Sequence, residues 1–242
     1  MTRKRADVVL VERGFFLSRA RAQEAIAAGL VTANGAVIRK ASETMPDDAV
    51  IAAEQPHPYV SRGGVKLAAA LDAFAIDPKG CICLDIGAST GGFTEVLLLR
   101  DAKHVYAVDV GHSQLHPKVA NDPRVTNLEG TDARSLNSEI VSEPADLLVS
   151  DVSFISLKLV LPTSVALLKP QAKLAVLVKP QFEAGRDNVK KGIVRDEAVH
   201  RAVCEDIRTF IASLGFTVDG IVPSPIEGGD GNREFLLGAH RG

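Results

Sequence analysis

The sequence has few cysteines and no long apolar segment, and each absence excludes a class of protein. Its 242 residues contain three cysteines without a CxxC pair, so we expect neither a disulfide framework nor a structural zinc site, and a reducing compartment is favoured. No apolar run approaches the roughly 18 residues of a membrane span, and the one near the amino terminus is too short for a signal peptide. These absences predict a cytoplasmic protein without a membrane partner.

Basic residues are concentrated near the amino terminus. Residues 1–42 contain eight lysines and arginines against three acidic residues, a local charge of +5 in a chain whose net charge is −2. A cluster of cations in one small region predicts a polyanionic partner, because each phosphate contact releases a counterion. On charge alone, a solvated basic face is the alternative.

The basic region has the pattern of a small α+β unit. Residues 6–13 predict a short helix, and Ser18 is suited to cap a second helix over residues 19–28. Apolar and polar residues then alternate around Asn34-Gly35, a dipeptide typical of a tight β-hairpin. One further strand is predicted in the segment DDAVIAA.

The segment VERGFFLSRARAQEAIAAGLVTANGAVIRKAS resembles the RNA-binding domain named after ribosomal protein S4. In such domains the second helix and the loop that follows it present basic side chains to structured RNA. The resemblance therefore makes the basic residues of this region, and one just beyond it, candidate RNA-binding residues. They are Arg3, Lys4, Arg5, Arg19, Arg21, Arg39, Lys40 and Arg62.

Pro56 and Pro58 mark a linker between two predicted domains, a basic RNA-binding domain over residues 1–58 and a larger domain over residues 59–242. Strand and helix patterns alternate in the larger domain, which predicts a mostly parallel sheet with helices on both faces. The last two strands have no helix between them and should form an antiparallel hairpin. This order resembles the Rossmann-like class I methyltransferase fold with its seven-stranded sheet. The predicted strands span residues 81–86, 104–110, 125–129, 145–150, 173–179, 216–222 and 234–239.

The first strand of the larger domain runs into a glycine-rich turn, CICLDIGASTGGF. Gly87, Gly91 and Gly92 let the backbone approach a ligand closely, and the helix that follows offers its N-terminal N–H groups. A dinucleotide-binding turn needs the spacing G-x-G-x-x-G, whereas Ala88 and Ser89 follow the first glycine here. The spacing therefore disfavours a nicotinamide oxidoreductase.

The turn instead resembles the S-adenosylmethionine turn of class I methyltransferases, in which an acidic residue precedes the first glycine. By that resemblance, Asp109 at the end of the second strand binds the ribose hydroxyls, and Asp132 after the third strand holds the adenine amino group. Either aspartate taken alone could be an ordinary turn residue. The candidate S-adenosylmethionine-binding residues are Asp85, Gly87, Ala88, Ser89, Gly91, Gly92, Phe93, Asp109, Val110, Asp132, Ala133 and Asp151.

Four charged residues are suited to methylating a ribose 2′-hydroxyl, a poor nucleophile that must be oriented and must lose its proton. Asp151 and Lys179 end the fourth and fifth strands, and the carboxyl ends of parallel strands line ligand crevices. An unpaired ammonium on Lys179 would be costly in its apolar surroundings, so we expect Asp151 or Glu234 as its partner. Lys66, in the segment SRGGVKL, is the fourth candidate.

The order of these four residues resembles the catalytic tetrad of FtsJ/RrmJ-like ribose 2′-O-methyltransferases. With the basic module, the motifs SRGGVKL, DIGASTGGFT, SDVSFISL, VKPQFE and GNREF resemble the TlyA, or haemolysin A, family of ribosomal RNA cytidine-2′-O-methyltransferases. The resemblance implies ribosomal RNA or ribosomal subunits as partner. It also implies that Lys179 accepts the hydroxyl proton or orients the hydroxyl, that Asp151 and Glu234 align Lys179, and that Lys66 holds the ribose. One departure is the linker HPYV, which replaces a tryptophan-containing tetrapeptide.

Other interpretations lead to different functions. His112 and His116 stand four residues apart and could share a helix face, but no third ligand is nearby, so no metal site is expected. A non-catalytic RNA-binding protein that only senses a nucleoside ligand would need the basic residues but not all four charged ones. A membrane-active haemolysin, suggested by the family's other name, would need a spanning or strongly amphipathic segment that the sequence lacks.

Overall fold

The computed structural model describes residues 3–242, apart from the side chain of Asp230. The chain divides into two compact units, Met1–Pro58 and Tyr59–Gly242. Each unit is described by itself below.

The first unit contains two helices and five short strands. The strands form a three-stranded sheet in the order β3-β2-β5 and a two-stranded sheet of β1 and β4. In chain order the elements are β1 (Arg3–Arg5), α1 (Ala6–Glu12), α2 (Arg19–Ala27), β2 (Val31–Ala33), β3 (Ala36–Val37), β4 (Thr44–Pro46) and β5 (Ile51–Ala53).

Local signals in the sequence account for most of this unit. The Ser18 side chain accepts a hydrogen bond from the Arg21 backbone N–H and caps α2, as predicted. Asn34 and Gly35 adopt positive φ angles of 49° and 79° and connect β2 to β3 in the predicted hairpin. The strand β1 was not predicted, because the RKR segment has no β-strand pattern and is extended by pairing with β4, about forty residues away.

The second unit contains a seven-stranded sheet with the order β11-β12-β10-β9-β6-β7-β8. Neighbouring strands from β10 to β8 are parallel, and β12 is antiparallel to both β10 and β11. The elements are α3 (Gly63–Ala73), β6 (Ile82–Ile86), α4 (Gly92–Leu99), β7 (His104–Asp109), α5 (Pro117–Ala120), β8 (Val125–Glu129), β9 (Ala145–Ser150), α6 (Leu157–Val165), β10 (Leu168–Val178), α7 (Pro180–Glu183), α8 (Glu197–Ser213), β11 (Thr217–Pro223) and β12 (Phe235–Arg241).

This topology confirms the predicted mostly parallel sheet with a terminal antiparallel hairpin. The strands match their predicted positions to within a residue or two, except that β10 begins at Leu168, five residues early, with a register irregularity before Lys173. A second difference concerns His112 and His116, which do not share a helix. His116 instead caps the short helix α5, and its Nδ1 accepts from the Lys118 N–H.

The sheet has an apolar core on each face, because successive residues of a strand point to opposite sides. Leu84 and Leu148 pack in the core that includes the apolar side of α6 and α8. Their chain neighbours Cys83 and Leu147 pack in the other core, which includes the apolar side of α3 and α4. Both faces are therefore covered, and the carboxyl edge of the parallel strands carries the candidate site.

Candidate active site

The glycine turn follows β6 directly and needs its glycines. Gly87 has φ +86° and Gly91 has φ +89°, the left-handed region that favours glycine. A Cβ atom on Gly87 would lie 3.1 Å from the backbone nitrogen of Val152, so the turn also packs closely against the segment after β9. Gly91 caps α4, whose first N–H groups face the turn.

Asp85 lies beneath this turn and lines neither of the two cavities described below. Its side chain is fully buried, and its Oδ2 accepts a hydrogen bond of 2.6 Å from the Thr94 hydroxyl. Burial raises the pKa of Asp85 to about 7, against the hydrogen bond from Thr94, which lowers it. Asp85 therefore stabilises the turn from below.

One cavity of about 590 Å³ opens at the carboxyl ends of β6, β7 and β9, and we call it the aspartate cavity. Its walls combine strand-end aspartates with apolar side chains, a mixture suited to a nucleoside. The predicted residues on its walls are Gly87, Ser89, Asp109, Val110, Asp132, Ala133 and Asp151, and residues that the sequence analysis did not name include Gln114, Thr131 and Arg134.

The two aspartates that name this cavity are held by local hydrogen bonds. Asp109 accepts from the backbone N–H groups of Ser89 and Gly111, at 2.8 and 2.7 Å. Asp132 accepts from the guanidinium of Arg134, with a shortest distance of 2.6 Å. The hydrogen bonds from Arg134 hold the pKa of Asp132 at about 2, so this side chain is an anion at neutral pH. Both carboxylates keep lone pairs for further donors.

A second cavity of about 490 Å³, the lysine cavity, adjoins the first. Both Lys66 and Lys179 line it, together with Glu234 and the predicted RNA-binding residue Arg62. The two cavities share part of their walls. The residues that line both are Gly87, Ser89, Asp151, Ser153 and Phe154.

Lys179 lines the lysine cavity and is paired with Asp151, which lines both cavities. Its Nζ is 2.6 Å from Oδ1 of Asp151 and donates to the Ser153 hydroxyl at 2.8 Å. The Lys179 side chain is 8% exposed, so the pair is shielded from bulk water. Of the two partners that the sequence left open for Lys179, the structure selects Asp151.

Glu234 is instead paired with Lys66. The Nζ of Lys66 donates to Oε2 of Glu234 at 2.5 Å, and both side chains are almost completely buried. Lys66 is therefore not a solvated helix residue, and Glu234 is not a surface residue. The four predicted charged residues form two ion pairs on the walls of one cavity.

The sequence analysis did not name two aromatic residues at this site. Phe154 is 91% exposed, and its φ of +64° is unusual for a residue with a side chain. Its ring lies 5.2 Å from that of Phe182, and both rings line the lysine cavity. The motifs SDVSFISL and VKPQFE, each directly after a strand, were the signal that could have located them.

The predicted RNA-binding residues of the first unit are exposed except Arg21, which is half-buried. Two of them are fixed by a buried carboxylate. Asp7 is fully buried and accepts hydrogen bonds from the guanidinium groups of Arg5 and Arg19, at 2.9 and 2.8 Å, and from Gln23 at 2.7 Å. Hydrogen bonds from Arg5 hold the pKa of Asp7 well below its usual range. Asp7 thus orients two cations of this surface.

Residues 3–242, without the side chain of Asp230, contain neither a metal-binding cluster nor a membrane-spanning helix. No group of three or more histidine, cysteine or acidic side chains in this range is placed to hold a metal ion. Within the same range no helix is both long enough and apolar enough to cross a membrane.

A glycine turn beneath an aspartate-lined cavity, at the carboxyl edge of a sheet with an antiparallel last strand, is the arrangement of class I methyltransferases, whose methyl donor is S-adenosylmethionine. Comparison with known families agrees, since residues 59–241 match the FtsJ-like methyltransferase model and residues 4–51 match the S4 domain. The chain belongs to the FtsJ-like methyltransferase family.

Individual relatives cover nearly the whole chain. The 16S/23S rRNA (cytidine-2′-O)-methyltransferase TlyA of Mycobacterium tuberculosis is 44% identical over 97% of this chain and 89% of its own length. Hemolysin A of Brachyspira hyodysenteriae is 42% identical over 96% of this chain and 98% of its own. A solved structure from Streptococcus thermophilus, described as a hemolysin, covers 100% of this chain and 89% of its own at 41% identity, with a TM-score of 0.79.

A more distant structure shows the fold alone. It is an S-adenosylmethionine-dependent methyltransferase from Listeria monocytogenes, 16% identical, with a TM-score of 0.55 over 74% of this chain and 98% of its own.

Proposed function

We propose that this protein transfers a methyl group from S-adenosylmethionine to the ribose 2′-hydroxyl of a cytidine in structured ribosomal RNA. The relative from Mycobacterium tuberculosis carries this activity in its name. The observation that carries the proposal is the wall shared by the two cavities, where Asp151 forms an ion pair with Lys179 of the lysine cavity. A donor in one cavity and an acceptor in the other would meet at that wall.

The aspartate cavity has the chemistry of the donor. Asp109 offers two carboxylate oxygens to a ribose diol, Asp132 offers an acceptor to an adenine amino group, and the exposed Val110 offers an apolar surface to the base. Gly87 packs too closely against Val152 to carry a Cβ, so a side chain there would displace the segment that forms part of this wall. S-adenosylmethionine supplies an electrophilic methyl group on a sulfonium.

The lysine cavity would hold the acceptor ribose. Lys179 orients the 2′-hydroxyl or accepts the proton that the hydroxyl loses as its oxygen is methylated. Asp151 and Ser153 fix the position of Nζ through the ion pair and the hydrogen bond. Lys66, held by Glu234, adds a positive charge on the wall where the ribose and its phosphate would lie.

The first unit would supply most of the affinity for the RNA. We assign residues 1–58 as the RNA-binding domain and residues 59–242 as the methyltransferase domain, in keeping with the ranges matched by the S4 and FtsJ-like models. The exposed basic residues of the first unit, and Arg62 at the lysine cavity, would contact phosphates. The relatives are bacterial, and bacterial ribosomal RNA is made in the cytoplasm, where we place the reaction.

The test is methyl transfer from radiolabelled S-adenosylmethionine to ribosomal subunits and free ribosomal RNA from cells that lack this protein. We expect one or a few cytidine 2′-O-methylations, mapped by primer extension and mass spectrometry. The variant Lys179→Ala should lose at least about 100-fold in turnover while binding S-adenosylmethionine as tightly as the parent. RNA binding without any methylated product would support a non-catalytic RNA-binding protein, and product from Lys179→Ala at the parent's rate would remove Lys179 from the mechanism. Leakage from lipid vesicles with the same preparation would revive the haemolysin hypothesis.

A further inference from the structure

Gln181 has a buried acceptor atom without a partner. It lies in α7, two residues after Lys179, and lines both the lysine cavity and a neighbouring cavity of about 390 Å³. Its side-chain oxygen Oε1 is buried, and no described residue donates a hydrogen bond to it. Such an oxygen costs about 1–3 kcal/mol unless a donor reaches it.

Several polar side chains of the lysine cavity are held by other residues of the chain. Lys66 is bound to Glu234, and Lys179 is bound to Asp151 and Ser153. The amide of a further wall residue, Asn232, donates to the backbone oxygens of Gly192 and Gly229, both at 3.0 Å. The Gln181 amide differs in that its acceptor Oε1 is buried and receives no hydrogen bond from the described residues, so it can accept from a group outside the chain.

The surroundings of Gln181 are suited to a nucleobase. The next residue in the chain, Phe182, packs its ring against that of Phe154, and both rings line the same cavity. Exposed aromatic faces bind bases by stacking, which does not distinguish one base from another. An amide beside them can make that distinction, because it offers one acceptor and two N–H donors in one plane.

We propose that Gln181 determines which base the enzyme accepts, with Oε1 accepting a hydrogen bond from the exocyclic amino group of cytosine. This inference rests on the proposed function. Uracil has a carbonyl oxygen in place of that amino group, so two acceptors would face each other and Oε1 would stay unpaired. A site built to hydrogen-bond one group rejects an analogue that lacks it more strongly than an apolar pocket does.

The test compares methylation of ribosomal subunits that carry either cytidine or uridine at the modified position, using the full-length protein. We expect the parent to favour cytidine by about 10- to 100-fold in kcat/KM. Gln181→Met, which keeps the length of the side chain but not its acceptor, should reduce that ratio to within about threefold, chiefly by slowing the reaction on cytidine. Gln181→Glu, which keeps an acceptor, should retain a preference for cytidine.

Controls separate this inference from folding and from the proposed function. Gln171 is exposed on β10 and lines neither cavity, so Gln171→Met should keep the parent's ratio. Calorimetry should give the Gln181 variants the parent's affinity for S-adenosylmethionine. A Gln181→Met variant that methylates with the parent's preference for cytidine overturns the role of Gln181 alone. A parent protein that methylates neither substrate overturns the proposed function instead.

Discussion

Lys66 and Glu234 lie 168 positions apart in the chain, and their side chains form a buried ion pair with 2.5 Å between Nζ and Oε2. The pair connects α3, at the start of the second unit, to the residue before β12, near its end. Because neither charge is solvated, each depends on the other. This relationship yields the first prediction.

Removing one member of the pair should destabilise the protein more than removing both. Lys66→Met leaves the Glu234 carboxylate buried without a counter-ion, which should cost about 3–5 kcal/mol of the free energy of unfolding. The double variant Lys66→Met with Glu234→Met replaces the pair by apolar groups and should recover most of that loss. Urea unfolding of the parent and the variants measures both effects. A double variant as unstable as Lys66→Met would show that the cost has another source.

Substitutions of Phe154 should affect stability and activity differently. Its left-handed backbone costs a residue with a Cβ about 1–2 kcal/mol, and its side chain is almost fully exposed. Phe154→Gly should therefore be more stable than Phe154→Ala by about 1 kcal/mol. Both should raise KM for the RNA substrate roughly tenfold or more, because a base–aromatic contact contributes about 1–3 kcal/mol.

Thermal unfolding and steady-state kinetics with the RNA substrate test this prediction. Affinity for S-adenosylmethionine should stay within about twofold of the parent's in both variants. Equal stability of the two variants would contradict the argument from backbone strain, and an unchanged KM would remove Phe154 from the acceptor site.

Asp85 should make the fold less stable as the pH rises toward neutrality. Its pKa is about 7 in the folded protein and about 3.9 when unfolded, so the folded state holds an extra proton between these values. The stability that the neutral carboxyl contributes is fully present below about pH 4 and is lost as the pH rises through 7, at up to about 1.4 kcal/mol per pH unit.

The variant Asp85→Asn keeps the shape of the neutral carboxyl and cannot ionise. Between pH 5 and pH 7, the free energy of unfolding of the parent should fall by about 2 kcal/mol relative to that of the variant. Denaturant unfolding at several pH values measures the difference. Parallel curves for the two proteins would place the pKa of Asp85 outside this window.

The contribution of Asp7 to stability should depend on pH in the opposite direction to that of Asp85. Its pKa is held below the usual range by Arg5, Arg19 and Gln23, so its contribution to stability is present above about pH 4 and is lost as the pH falls below that value. Asp7→Asn should cost about 1–3 kcal/mol at pH 7 and progressively less in acid. The matched control is Glu12→Gln, which breaks the exposed Lys4–Glu12 pair and should cost under about 1 kcal/mol. If Asp7→Asn and Glu12→Gln lower the free energy of unfolding equally, burial does not explain the contribution of Asp7.

Local sequence patterns predicted much of the secondary structure and fold of this protein. Ser18 caps α2 and Asn34-Gly35 forms a hairpin. The alternation of strands and helices predicted a mostly parallel sheet with a terminal antiparallel hairpin. The strand β1 escaped prediction because its extended conformation comes from pairing with a distant segment.

The structure brings together the four charged residues predicted for the site, and their roles there stay a prediction. Strand ends and motif order identified the four charged residues, but how they pair depends on distances that only the folded chain sets. No hydrophobic pattern in the sequence predicts that Phe154 is exposed with a positive φ. None predicts that the side-chain oxygen of Gln181 is unpaired. Such residues become visible only once the walls of a cavity are assembled.

The position of β12 determines when, during synthesis, the candidate site becomes complete. β12 lies between β10 and β11, although every other strand of the sheet is translated before it. Domains begin to fold during synthesis. A nascent chain can therefore form the glycine turn and the parallel strands before β12 pairs with the edge of β10. Glu234 joins Lys66 only when β12 inserts. The candidate site is therefore complete only after β12 has joined the sheet, and a chain that lacks β12 also lacks the Lys66–Glu234 pair.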